Sequence, residues 1–354
     1  MVKNNLDDIV YALASELKKC IGGAKANKLK IKELASIIDN TSIRKEKSKY
    51  KSLLLDKIGF EVNKYPTSKI STISKSILYL KKLGVKNIGK VARKLPQILA
   101  YTTKSMQERA DFLSKIGIKD LGKVIEKSPA ILEYKTESMQ ERVNFLKELG
   151  VKDIGKVVGR LPQILEYKTE SMQERVNYLK GLKVKNIGKV IEKSPAVLEY
   201  KTESMQERVN FLKELGVKNI GKVIERLPQI LEYSIESMQE RADFLSKIGI
   251  KDLGKVVGKL PAVLELTTEG MQEKLDYFRK QEYSINEIEN FPISLGCSFK
   301  KRIMPRFEYL KLKKPNEKYS LSRILCTRDK VFAKTAGSTP DEYEEFKKSF
   351  DATA

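Results

Sequence analysis

A period of 33 residues runs through the middle of this 354-residue chain. Six prolines and six methionines recur at that interval, and residues 138–149 are identical to residues 204–215. The repeated residues are Pro96, Pro129, Pro162, Pro195, Pro228 and Pro261, with Met106, Met139, Met172, Met205, Met238 and Met271. A fixed period in this range is typical of a solenoid, whose small units bury their apolar faces by stacking on one another. We therefore predict one array in which function is carried by columns of equivalent residues.

The first half of a unit, illustrated by residues 138–170, predicts an amphipathic helix. Ser138 and Glu141 have the spacing of a capping box, so we expect the helix to begin at Ser138. Apolar residues at spacings of four and three form one face, which comprises Met139, Val143, Leu146 and Leu149. Gly150 stands where a left-handed C-terminal cap would end the helix.

The second half of the unit predicts two shorter helical elements. Asp153 has the position of an N-cap for a second helix. The apolar stripe of that helix is Ile154, Val157, Val158 and Leu161. Pro162 cannot continue the helix but can begin a new one, so residues 162–167 are predicted to form a third element. No run alternates with period two, and the chain is predicted to be all-α.

Six such units extend from residue 72 to residue 269. Residues 1–71 are predicted to form a helical N-terminal capping region with a degenerate repeat end at 53–66. Residues 270–354 are predicted to hold degenerate C-terminal repeats and an acidic terminal helix near 341–350. Divergent ends are what capping repeats require, because their outer faces meet water.

The composition favours a polyanionic partner over a catalytic role. Lys and Arg number 69 against 46 Asp and Glu, a net charge of +23, and histidine is absent. The commonest general base and neutral metal ligand are therefore missing. Cys20, Cys297 and Cys326 lack the paired spacing of a zinc site, and no phosphate-binding glycine motif occurs. We predict no enzymatic activity, catalytic residue, metal or other cofactor.

The sequence also suggests where the protein acts. No apolar stretch approaches the length of a bilayer span, so no membrane partner is expected. The first twenty residues resemble neither a transit peptide nor a secretory signal. A monomer in the cytoplasm or nucleoid is expected, with a mitochondrial or plastid location as the alternative if a presequence is missing.

The order of helix, Leu-Gly turn, short helix and Pro-x-Ile/Val-Leu resembles the mitochondrial transcription termination factor (mTERF) family. Residues 145–150 and 161–165 carry the repeat signature, and residues 291–292 with 298–310 resemble the family's C-terminal block. The resemblance covers most of the chain. It implies a curved α-solenoid, right- or left-handed, of three-helix repeats whose positive groove binds nucleic acid, usually double-stranded DNA. The implied roles are organellar transcription termination, initiation or RNA processing.

Three columns around the second helix are basic in all six units. The turn column is Lys86, Lys119, Lys152, Lys185, Lys218 and Lys251; the middle column is Lys90, Lys123, Lys156, Lys189, Lys222 and Lys255; the end column is Lys94, Lys127, Arg160, Lys193, Arg226 and Lys259. Middle and end columns are four residues apart and so share one helical face. The position before the end column is Arg93, Glu126, Gly159, Glu192, Glu225 and Gly258, so acid occurs between the columns but never within them.

Charge counts support a phosphate-binding interpretation of these columns. Residues 72–269 contain 37 basic and 25 acidic residues, a net of +12, whereas the three columns alone supply 18 positive charges. The remainder is net negative, and a segregated basic stripe is what binding along a phosphate backbone requires. The alternative is an ordinary solvated helix face.

Other charged, aromatic and methionine positions have separate predicted roles. Lys300, Lys301, Arg302 and Arg306 form a second basic patch, which is either a DNA contact or a capping surface. Arginines of the first helices each follow a Glu and are predicted to form ion pairs and pack through their stems. The methionine column is predicted to be core. A tyrosine column is predicted to pack between repeats, and it comprises Tyr101, Tyr134, Tyr167, Tyr200 and Tyr233.

Double-stranded DNA binding in transcription termination or regulation is the function favoured by these patterns. An RNA-binding or RNA-processing factor is the first alternative, but aromatic or amide side chains beside the basic ribbon would be expected for it. A protein-binding scaffold is the second, and it would present apolar residues where the chain has lysine.

Overall fold

The computed structural model describes residues 70–353, which contain helices and no strand. The all-α prediction is therefore confirmed for the described residues. The predicted N-terminal capping region lies outside them except for residues 70 and 71. The chain divides into two units, residues 1–172 and residues 173–354.

The first unit contains three repeats, each with a long first helix, a short second helix and a 3₁₀ turn. In chain order these elements are Ile70–Lys82, Ile88–Lys94 and Pro96–Ala100; Thr103–Lys115, Leu121–Lys127 and Pro129–Leu132; and Thr136–Glu148, Ile154–Arg160 and Pro162–Leu165. The next first helix, Thr169–Gly181, contains the boundary between the units.

The second unit continues the same pattern. Its repeat elements are Ile187–Lys193 and Pro195–Leu198; Thr202–Glu214, Ile220–Arg226 and Pro228–Leu231; Ile235–Lys247, Leu253–Lys259 and Pro261–Leu264; and Thr268–Lys280. The C-terminal block follows with Ile285–Asn290, Ile293–Gly296, a π-helix at Phe299–Ile303, Met304–Lys313, Leu321–Leu325, Asp329–Thr335 and Pro340–Thr353. The last helix confirms the predicted acidic terminal helix.

The core of each repeat is the apolar face predicted from the sequence. All six methionines of the column are fully buried, as are Leu146 and Val158. Gly150 has a φ of 83°, which confirms the left-handed cap. The Asp153 side chain accepts a hydrogen bond from the backbone N–H of Lys156, which confirms the N-cap of the second helix.

Two predictions about helix ends are wrong. The first helix begins at Thr136, not Ser138, and Lys135 is its N-cap residue. The Glu141 carboxylate pairs with Arg142 at 2.6 Å, so the expected capping box does not form. The third element is a 3₁₀ turn that ends at Leu165, because only a few residues separate Pro162 from the next first helix.

Neighbouring repeats approach most closely at pairs of glycines. A Cβ on Gly155 would lie 2.2 Å from the carbonyl oxygen of Gly117, whose φ is +94°. The same close approach joins Gly122 to Gly84 and Gly254 to Gly216. In these three pairs the short helix packs its first turn directly against the backbone of the preceding Leu-Gly or Ile-Gly turn. This contact fixes the position of the basic columns relative to the next repeat.

Candidate nucleic-acid interface

The middle column is placed by the N-caps of the short helices. An Asn or Asp side chain accepts the backbone N–H of each middle-column lysine at 2.8 to 3.0 Å. Each lysine is thus the third residue of its helix, and the apolar stripe turns inward beside it. Its side chain therefore projects away from the core.

The turn and middle columns lie on the surface. All six turn-column lysines are exposed, and so are all middle-column lysines except the half-buried Lys255. Lys255 Nζ donates to the Asn290 side chain at 2.7 Å. The ammonium groups of Lys90, Lys123, Lys156, Lys189 and Lys222 have no protein partner among the described residues. These five side chains are exposed to solvent.

The end column has a different environment, which the sequence reasoning missed. Lys94 Nζ donates to the carbonyls of Glu126 and Lys127 at 3.0 and 2.8 Å, and Lys193 Nζ reaches the carbonyls of Glu225 and Arg226 at 2.6 and 3.1 Å. The same kind of bond is made by Lys127, Arg226 and Lys259. The accepting carbonyls end the short helix of the next repeat, where they lack intrahelical partners and carry the negative end of the helix dipole.

These end-column side chains therefore join neighbouring repeats. The sequence predicts that the end-column nitrogens contact phosphate. In five of the six positions the nitrogen instead contacts the protein's own backbone. Their charge still contributes to the positive surface, but we now assign them a structural role as well. A sequence signal was present in the four-residue spacing from the middle column, since it places the end column at the helix terminus.

The acidic residues between the columns also contact the backbone. The Glu126 carboxylate accepts the backbone N–H groups of Lys86 and Asn87 at 2.6 and 2.9 Å. Glu225 does the same for Lys185 and Asn186 at 2.6 and 3.2 Å. These carboxylates are held by the turn of the preceding repeat, which explains how acid is accommodated inside a basic surface.

The C-terminal patch is only partly available to a ligand. Lys300 and Lys301 are exposed, but Arg302 is half-buried and donates to the carbonyls of Leu325 and Thr327 at 2.8 and 2.7 Å. Arg306 is fully buried. The prediction that Arg306 contacts nucleic acid is therefore wrong.

The guanidinium of Arg306 instead organises the C-terminal block. It donates to Asp329 at 2.6 Å and to the Thr327 carbonyl at 2.8 Å, and it lies over the Phe332 ring. Lys347 pairs with the other Asp329 oxygen at 2.7 Å. Burial alone would raise the pKa of Asp329, but the hydrogen bonds and charges of Lys347 and Arg306 outweigh it, and the pKa lies below its ordinary value.

Comparison with known proteins agrees with the repeat architecture. The mTERF family model matches residues 29–181 and again residues 172–333, which together cover most of the chain. The chain belongs to the mTERF family. This membership indicates nucleic-acid binding and a role in transcription or the regulation of gene expression. No curated protein matches the chain closely enough to refine that assignment.

The first helices of these mTERF repeats carry structural arginines. Arg109 Nε donates to the Tyr134 carbonyl at 3.0 Å, and Arg142 Nε donates to the Tyr167 carbonyl at 3.1 Å. Arg142 is also paired with the preceding Glu141, and only 17% of its side chain is exposed. The structure thus agrees with the ion-pairing and stem-packing role predicted for this column.

The tyrosine column of the mTERF repeats links neighbouring repeats. The Tyr101 hydroxyl donates to the carboxylate of Glu133 in the next repeat. Burial, the charge of Glu232 and a hydrogen bond to it raise the pKa of Tyr200 to about 12. These hydroxyls are engaged between repeats, as the packing interpretation predicted.

Within residues 70–353 no helix combines the length and apolarity needed to cross a bilayer. The same residues contain no group of three or more Cys, Asp or Glu side chains placed to hold a metal ion.

Proposed function

We propose that this protein binds double-stranded DNA through its turn and middle columns and acts in transcription termination or regulation. The observation that carries the proposal is the middle column, in which an exposed lysine recurs at the third position of each short helix. Because the N-caps fix these positions, the ammonium groups recur at equivalent places from repeat to repeat. Such an arrangement suits contacts with a phosphate backbone more than the reading of individual bases.

Two further observations support duplex binding over RNA recognition. Sequence-specific RNA recognition usually stacks unpaired bases on aromatic side chains, whereas the described tyrosines of the column bond to glutamates between repeats. Amide side chains on a first helix also bond to each other, since Gln140 Nε2 donates to Asn144 Oδ1 at 2.7 Å. The available contacts are therefore mainly cationic.

Competition binding tests the choice of nucleic acid. A labelled duplex of about 20 base pairs would be displaced by unlabelled duplex, by single strands of the same sequence and by a structured RNA of equal length, all at fixed salt. We expect the duplex to compete best and its sequence to matter little. Preferential competition by RNA would favour the RNA-processing alternative and would contradict the DNA assignment.

A further inference from the structure

Two junctions between short helices carry glycine where others carry glutamate, and the one at Gly258 leaves a cavity bordered by charged residues. In the second unit, Gly258 occupies the position that holds Glu126 or Glu225 in other repeats. A cavity of about 370 Å³ opens there, bordered by Lys218, Asn219 and Lys222 from one repeat and by the helix around Gly258 from the next.

The two backbone N–H groups that bind a carboxylate elsewhere have no such partner in this cavity. Glu225 reaches the N–H groups of Lys185 and Asn186, and the equivalent groups here belong to Lys218 and Asn219. Neither of the latter groups has a hydrogen-bond partner within the described part of the chain. Successive N–H groups in a turn form a concave site for an anion. The equivalent pairs of N–H groups already bind the carboxylates of Glu126 and Glu225.

The backbone conformation at position 258 does not require glycine. A Cβ at this position would meet no atom within 4 Å, and its φ is not positive. Glycine also weakens a helix interior relative to alanine. Packing therefore gives no reason for glycine here, and its consequence is the open cavity.

The surrounding charges favour an anion. Lys218 and Lys222 line the cavity, and their ammonium groups have no protein partners among the described residues, whereas Lys255 and Lys259 are bonded to Asn290. Asp252 is the one acid on the wall, and one of its oxygens accepts the backbone N–H of Lys255.

The junction at Gly159 provides a natural contrast. Its turn carries Asp120 where the Gly258 junction carries Asn219, so a carboxylate stands beside the equivalent N–H groups. The added charge of Asp120 makes that junction less favourable for a phosphate group. Such an Asp does not prevent anion binding altogether, since beside Asp252 the Glu289 carboxylate accepts the backbone N–H of Lys251 at 2.8 Å.

We infer that the Gly258 junction binds one phosphate group of the nucleic-acid backbone in the position that a glutamate carboxylate fills at the Glu126 and Glu225 junctions. The inference rests on the proposed function and adds to it that the repeats do not contact the backbone equivalently. The N–H groups of Lys218 and Asn219 and the ammonium of Lys222 would hold the phosphate oxygens.

The backbone amide of Lys218 reports on this site directly. Full-length protein labelled with ¹⁵N-lysine would be titrated with inorganic phosphate and, separately, with a duplex of about 20 base pairs, and the amide signals followed by NMR. The Lys185 amide is the internal reference, because it is already bonded to Glu225. We expect a saturable shift at Lys218 with both ligands and a smaller one at Lys185.

The variants Gly258→Glu and Gly258→Ala separate the carboxylate from the effect of adding a side chain. Both remove the glycine, but only the glutamate fills the site. We expect Gly258→Ala to retain the phosphate response and Gly258→Glu to weaken it about tenfold or more, as for the loss of hydrogen bonds to a charged group. The salt slope for the duplex should become shallower by about one unit in Gly258→Glu relative to Gly258→Ala. Gly159→Glu, which adds the same charge elsewhere, should change phosphate binding less.

Several outcomes would overturn the inference. A Lys218 amide that shifts no more than the Lys185 amide would show that no phosphate binds at the junction, as would equal responses in Gly258→Glu and Gly258→Ala. A response to inorganic phosphate without one to bound duplex would contradict the nucleic-acid assignment of the site. Failure of the wild-type protein to bind any duplex would instead contradict the proposed function, and the phosphate titration would still report on the anion site.

Discussion

Basic residues in the repeats and in the C-terminal block have opposite environments. In the repeats, all lysines of the turn and middle columns except the half-buried Lys255 are exposed at the starts of short helices. In the block, Arg306 is fully buried and bonded to Asp329 and to backbone carbonyls. The difference shows that clustering of positive charge in a sequence does not define a binding surface. The partner that the fold supplies to each cation decides whether it is available to a ligand.

Removal of Arg306 should have the largest effect on stability. Arg306→Ala removes a fully buried guanidinium and leaves the Asp329 oxygen that it bonds without that partner, so we expect the free energy of unfolding to fall by about 3 kcal/mol. Urea denaturation of the full chain measures this loss. The exposed Lys301→Ala variant is the control and should change stability by less than about 0.5 kcal/mol. Equal effects of the two variants would contradict the contrast between the regions.

A matched pair of glycines tests the close approach between repeats. Gly155→Ala would place Cβ 2.2 Å from the Gly117 oxygen, and we expect a loss of about 2 kcal/mol from the forced backbone shift. Gly159→Ala, on the same helix, meets open space. It should stabilise the protein by about 0.5 to 1 kcal/mol, because alanine is the better helix former. Thermal denaturation compares them, and destabilisation by both would show that the glycine contact is not specific.

Two lysines of one short helix, one from the middle column and one from the end column, should contribute differently to stability. Lys193 bonds to carbonyls of the next repeat, whereas Lys189 is exposed. We expect Lys193→Gln to lower the free energy of unfolding by about 1 kcal/mol and Lys189→Gln to leave it within about 0.5 kcal/mol. Chemical denaturation of the two variants measures the difference. A larger loss for Lys189→Gln would reverse the roles of the middle and end columns.

The smallest expected effect is a pH dependence of the C-terminal block. The folded pKa of Asp329 lies below its ordinary value, so its ionised form stabilises the fold above the unfolded pKa of about 4. This contribution should be lost as pH falls below about 4 through the folded pKa. Unfolding measured from pH 7 to pH 2 should show a shallower acid loss in Asp329→Asn than in the wild type. An unchanged acid profile would exclude Asp329 as a contributor.

Much of the repeat could be predicted from the sequence, because its helices obey local rules. The apolar period, the left-handed Gly150 and the Asp153 cap each depend on neighbours a few residues away. The 33-residue period also located the surface columns. Contacts between repeats were harder to foresee, since the end column and the intervening glutamates bond to backbone atoms more than 30 residues away. The start of the first helix was misplaced because Glu141 pairs with Arg142 and not with the backbone.

The C-terminal block had no period to guide its interpretation. The sequence showed four basic residues between 300 and 306 but gave no sign that the last would be buried. The partner Asp329 lies 23 residues along the chain from Arg306, and only the fold brings them together. Reasoning from local charge therefore could not predict that Arg306 is buried and paired with Asp329.

The salt dependence of duplex binding tests the role of the middle column most directly. Lys123, Lys156, Lys189 and Lys222 would be changed together to Gln, and the matched control would change Lys104, Lys135, Lys168 and Lys201, which are also exposed. If each middle-column lysine neutralises about one phosphate, the slope of log K against log salt should become shallower by about 3 to 4 units, with little change in the control. An unchanged slope for the middle column, together with a flattened slope when Arg109, Arg142, Arg175 and Arg208 are replaced, would contradict this assignment and place the interface on the first helices.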